Sequence, residues 1–216
     1  MARENFAEAE RELDAGLAAA HDGSNVPARF SAVGLHWLNG LLCLAREADD
    51  EALASFEREL ALETCGHLYA RECCANTWHA IGACHLRRGD KPGARAAFEQ
   101  AIARVDAHPM ARAGLLISAD LKVGGSINHL PGGSMENGAA DLQVGPASSI
   151  DRALASAALL VANGDAPAAA AIVDAAIASA PPGNAGWILP VEPLLDVQRR
   201  RAVWERALTR VRMRAE

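Results

Sequence analysis

Residues 75–109 read ANTWHAIGACHLRRGDKPGARAAFEQAIARVDAHP, and the spacing inside this stretch decides the fold. A helical pattern runs to Leu86, the pair Gly89-Asp90 interrupts it, and a second helical run sets Ala94, Phe98, Ala101 and Ile102 on one face. Two helices joined by so short a turn predict an antiparallel helical hairpin. Trp78 and Gly82 lie four apart and share a face of the first helix, so a bulky side chain and a patch of bare backbone can receive the second helix at short range. Ala94 and Phe98 supply the complementary small and large surfaces.

Working outward, the design recurs. In the stretch GLHWLNGLLCLAREADDEALASFERELALE, Gly40, Ala52 and Phe56 each precede Gly82, Ala94 and Phe98 by 42 positions (82 − 40, 94 − 52, 98 − 56). In IDRALASAALLVANGDAPAAAAIVDAAIASAPP, the design returns as Ala157, the Gly164-Asp165 turn, Ala169, Val173, Ala176 and Pro181, with alanine replacing most large residues. Repetition of a hairpin at such a period announces a stacked architecture. The order Trp78, Ile81-Gly82, His85, Ala94, Phe98, Ala101 and Pro109 resembles the tetratricopeptide repeat. There a Trp, a Leu-Gly pair, an aromatic, an alanine, a Phe or Tyr, a second alanine and a proline follow one another. His85 stands where an aromatic is usual, and Pro109 falls about three residues late. The resemblance covers roughly 100 of the 216 residues.

What it implies is an all-α, tetratricopeptide-like helical-hairpin solenoid, with units over 31–64 and 68–108, a degenerate unit over 109–122 and another over 150–181. The second unit's first helix is expected to start early, within TCGHLYAREC, and to run long. Residues 109–122 look like a lone first helix opened by Pro109. The segment 123–149, with six glycines and two prolines, reads as a flexible insert. Segment 3–20, with Phe6, Leu13 and Leu17 on one face, and segment 193–216 are expected to cap the two ends of the stack. WILPVEPLL reads as an extended link before the second cap.

Composition agrees with helices and narrows the chemistry. Half of the chain is apolar, aromatics are scarce, and the formal charge of −6 argues against a dedicated nucleic-acid binder. Five cysteines without a disulfide framework suggest free thiols in a cytoplasmic protein, and the acidic start carries no secretory signal. No run approaches a membrane span.

Cys73, Cys74, His79, Cys84 and His85 crowd one helix, yet apart from adjacent pairs no two are three or four apart, the spacings that let one helix grip a metal. They read as packing, with no metal and no cofactor expected. Ser126, His129, Ser134 and Asp141 in the glycine-rich insert lack the strand-borne turn that would orient a hydrolase triad. Seven arginines between Arg199 and Arg214 read as the solvated face of an amphipathic helix, with contact to nucleic acid or an acidic partner as the alternative.

The stack that the resemblance implies has a concave side lined by first helices. One step round the wheel from the packing residues lie Asn76, His79, Ala83, Leu86 and Arg87. Trp37, Leu41 and Leu44 correspond in the first unit, and Asp151, Leu154 and Ala158 in the third. The expected function is a non-enzymatic scaffold that holds a peptide or partner protein in this groove, near Trp37, Leu41, Asn76, His79, Leu86 and Arg87. An enzyme or ligand sensor using the 123–149 loop is the alternative. The Lys and Asn constellation with which some family members hold carboxylate-ended chaperone tails is replaced here by Trp37, Leu41 and Ala45.

Overall fold

Asp90 and Asp165 each close a left-handed glycine turn and open the next helix. Gly89 has φ 76° and Gly164 φ 86°, a conformation that costs a side chain about 1 kcal/mol or more but is free to glycine. The following aspartate accepts a hydrogen bond from a backbone N–H three residues on, Gly93 at 3.0 Å and Ala168 at 3.1 Å, and a proline enters the first turn. In the first hairpin Glu47 holds the same place as Gly89 and takes φ 64°.

The computed structural model describes residues 1–21, 32–119, 149–181 and 186–215. Among these the regular elements are all helical: α1 (Phe6–His21), α2 (Leu35–Ala45), α3 (Asp49–Leu60), α4 (Ala70–Arg87), α5 (Lys91–Arg104), α6 (Pro109–Ser118), α7 (Ser149–Ala162), α8 (Ala166–Ser179) and α9 (Arg201–Arg214), with a 3-10 turn at Leu189–Val191. Each helix packs on the next in chain order, and α2 also touches α4 while α4 touches α6. The helix α4 is long at 18 residues, as expected, although it begins only at Ala70 after a series of turns. Pro109 opens α6. The glycine-rich insert lies outside the described residues.

The hairpins close on glycine. Phe56, fully buried, lies over Gly40, and Phe98, fully buried, lies over Gly82. A Cβ at Gly82 would stand 2.5 Å from the Phe98 ring. Gly114 of α6 meets the same ring from the other side, so Phe98 is held between α4 and α6. Ala52, Ala94, Ala101 and Ala169 are fully buried at the small-residue contacts.

Two expectations about the C-terminal part change. The helix begins at Arg201 and not near Pro193, because Asp196 takes φ 52° and residues 193–200 form turns. The segment before it is no free link. Ile188 and Val191 pack into the cluster of α2, α3 and α4, whereas Leu189, Leu195 and Val197 pack into the cluster of α7, α8 and α9. Residues 186–200 therefore form a strap across the first helices.

The two ends of the chain also meet. Helix α9 lies on α8, but Arg201 and Arg212 both pair with Glu4, Arg3 donates to the Ala215 carbonyl, and Arg199 reaches Glu47 at 2.6 Å. Opposite charges bring together segments that a straight stack would keep apart.

Gly82→Ala is expected to lower stability by about 1–3 kcal/mol through overpacking against Phe98. Gly89→Ala, whose Cβ meets nothing within 4 Å, is expected to lose about 1 kcal/mol from backbone strain alone. Urea unfolding measures both; a neutral Gly82→Ala would refute the close-packed hairpin.

Candidate functional site

Two hollows flank the strap. One, of about 410 Å³, is bordered by Leu44, Arg46, Glu47, Arg87, Pro190 and Arg199. The other, of about 350 Å³, lies between α2, α4, the start of α6, α7 and the strap, and is lined by Trp37, Leu41, Asn76, His79, Leu154 and Trp187 among others.

Eight side chains named from the sequence as groove residues are therefore gathered around the strap. Trp37, Leu41, Asn76 and His79 line the second hollow and Arg87 the first; Asp151 and Leu154 join the second and Leu44 the first. Leu86 goes elsewhere, onto the cluster of Ala94, Phe98, Ala101 and Ala111. Ala83 and Ala158 are buried. Leu41 and His79 are buried too, so what a partner can reach is the half-buried Trp37 and the rim. Arg87 is engaged, donating to the Leu44 carbonyl at 3.0 Å and pairing with Asp49 at 3.2 Å.

The floor of the second hollow is a polar network. His79 Nε2 donates to Glu192 Oε1 at 3.0 Å, and both side chains are buried. His108 Nε2 donates to Asn76 Oδ1 at 3.0 Å while its Nδ1 accepts the Ala111 N–H at 3.2 Å, capping α6. Both ring nitrogens of His108 are thereby committed in the neutral form. Burial, and secondarily the His79 ring 5.5 Å away, pushes its pKa down to about 3. His79 Nδ1 is buried without a hydrogen-bond partner. At the wall, Trp37 and Trp187 meet edge to face, with centroids 6.4 Å apart.

Trp37 is held in place by a carboxylate from another helix. Glu59, fully buried, accepts hydrogen bonds from the backbone N–H of Gly34 at 2.7 Å and of Trp37 at 3.2 Å, so α3 caps the N-terminus of α2. Burial raises the Glu59 pKa, and these backbone donors oppose the rise. Sequence spacing gives no sign of this role, because Glu59 occupies the place of Ala101 in the repeat.

The thiols behave as packing. Burial, reinforced by nearby carboxylates, pushes Cys73 up to about 11 and Cys74 and Cys84 up to about 12, so they stay protonated at neutral pH. Among the described residues no group of three or more His, Cys, Asp or Glu side chains could hold a metal ion. Ser126, His129, Ser134 and Asp141 lie outside the described residues.

The C-terminal arginines are largely matched within the chain. Arg206 and Arg210 pair with Asp174, Arg201 and Arg212 with Glu4 and Glu205, Arg199 and Arg200 with Asp196, and Arg214 donates to the Ala180 carbonyl. A phosphate backbone would have to compete with these carboxylates. No helix among the described residues is long and apolar enough to cross a membrane.

Two measurements follow from burial. An aromatic disulfide reagent should modify the exposed Cys65 quickly, and Cys74 and Cys84 only at the rate of unfolding; fast modification of either would refute their packing role. For His108, the unfolded imidazole takes up a proton near pH 6.5 while the folded one resists until about pH 3. Its contribution is therefore complete above pH 6.5 and is lost as pH falls through that window, by up to about 1.4 kcal/mol per pH unit for one proton. Urea unfolding of His108→Gln between pH 7 and 4 should show a shallower loss than the parent chain.

No protein-family model, curated protein or solved structure matches the chain.

Proposed function

We propose that the protein is a non-enzymatic binding module, a tetratricopeptide-like stack of helical hairpins that recognises a partner protein at the hollow between Trp37, His79 and the strap. One observation carries this reading: side chains from α2, α4 and α7, chosen from the sequence as one face, converge on a single hollow of about 350 Å³. The inner face is already occupied by residues 186–200, so the partner inserts a side chain or short segment at the rim instead of lying along the whole groove. The protonated, buried thiols support a packing role for the cysteines, and five free cysteines suit a reducing cytoplasm.

The experiment is affinity purification from the native cell with the parent chain and Trp37→Ala, each checked for helicity by circular dichroism. The expected result is a protein retained by the parent and reduced at least tenfold with Trp37→Ala. Identical retention by both folded chains would overturn the assignment of the hollow.

A further inference from the structure

The two hollows beside the strap differ in charge. The larger contains Arg46, Arg87 and Arg199. The smaller contains Glu72, Asp151 and Glu192, and among its described lining residues there is neither lysine nor arginine. Of its histidines, His108 is committed in the neutral form by its two hydrogen bonds, while His79 donates to Glu192 and offsets part of that carboxylate's charge, so Glu72 at the rim carries the acidic character outward. The acidic groups sit at two depths, Glu72 exposed at the rim and Glu192 on the floor, with only 5% of its surface accessible.

The walls add a second, independent feature. Trp37 and Trp187 meet edge to face at 85°, and both line the hollow. Val105, Pro109 and Ile188, each half-buried, provide apolar surface in the same hollow. On the floor, the Nδ1 atom of the buried His79 has no hydrogen-bond partner. The volume falls in the range of small-molecule sites. Indole faces and carboxylates around an apolar chamber are the chemistry that holds organic cations, whereas a ligand carboxylate would meet like charges.

We propose that this hollow binds an alkylammonium group on an apolar stem. The proposal rests on the reading of the hollow as the recognition site and adds the ligand class. The ammonium lies between the indoles and the acidic groups, and the stem lies along Val105 and Ile188. The same chemistry is offered by a free amine and by a lysine side chain of a partner protein.

The test titrates the intact chain with hexyltrimethylammonium, hexanol and hexanoate, and with a short peptide carrying one central lysine or its acetylated form. Tryptophan fluorescence and the melting temperature are followed. The expected result is saturable quenching and a raised Tm with the ammonium compound, and at least tenfold weaker binding of hexanol and hexanoate. Trp187→Leu and Glu72→Gln, both at exposed positions, should each weaken the ammonium compound at least fivefold while the Tm of the free chain holds. Equal binding of hexanol, binding unchanged in both variants, or no response at millimolar ammonium would overturn the proposal. Tighter binding of the lysine peptide than of its acetylated form identifies a protein lysine as the source; binding of the ammonium compound alone identifies a free amine. Should the ammonium compound fail while a protein partner is still lost with Trp37→Ala, the ligand class falls and the recognition site stands. Should it bind while no protein partner depends on Trp37, the protein-partner reading falls instead.

Discussion

The Phe98 ring lies against Gly82 of α4 on one side and Gly114 of α6 on the other, in a space where one added methyl at either glycine would collide with it. That contact sets how closely α4, α5 and α6 approach, and Phe56 on Gly40 sets the same distance for α2 and α3. Small residues at the crossing, Ala52, Ala94 and Ala101, allow the approach. Because the two contacts repeat, α2 and α4 present equivalent faces side by side, and Trp37, Leu41, Asn76 and His79 come to border one hollow. A wider spacing would separate them.

Apolar residues of α2 to α4 are covered in part by residues 186–200, through Ile188 and Val191. The strap sends residues into both the cluster of α2 to α4 and the cluster of α7 to α9, and so joins two bodies of core. Charge completes the closure. Glu4 and Glu47 come from the N-terminal half and meet Arg201, Arg212 and Arg199 from the C-terminal part. The exposed Arg199–Glu47 pair contributes little, roughly 0–1 kcal/mol, whereas the Glu4 side chain is buried between two arginines.

The hairpins were legible because their determinants are local: a glycine four residues from a tryptophan, a Gly-Asp turn, and alanines and a phenylalanine at helical intervals all act over fewer than thirty residues. The face carrying Trp37, Leu41, Asn76 and His79 was legible for the same reason. The strap was not, since WILPVEPLL has no period and its partners on α2 to α4 lie more than a hundred positions away, as His79 does from Glu192. Glu59 was hidden because a glutamate in an amphipathic helix reads as a solvated residue, and only the assembled hairpin shows that it faces the open N-terminus of α2. Leu86, on the same helix, packs against the Phe98 cluster. The arginines of α9 were read from composition as a solvated face. Some of their carboxylate partners, Asp196 and Glu205, are local, but Glu4, Glu47 and Asp174 come from distant segments that no local pattern announces.

The buried His79–Glu192 pair explains why a strap made largely of Leu, Val, Ile and Pro settles in one position. Apolar side chains fill an apolar cluster in more than one offset at similar cost, whereas a buried carboxylate placed one residue away from its imidazole loses its hydrogen bond and keeps the full desolvation penalty. Such a pair adds little net stability over well-packed hydrophobic residues, so its value lies in selecting among arrangements. The Leu194 N–H, at 3.4 Å from the same Glu192 oxygen, bends the strap at this point and directs Leu195 and Val197 toward α9. The interaction that selects the position of the strap also leaves a carboxylate on the floor of the hollow and an imidazole nitrogen without a partner beside it. Closure of the fold and the chemistry of the hollow therefore meet in the same two side chains.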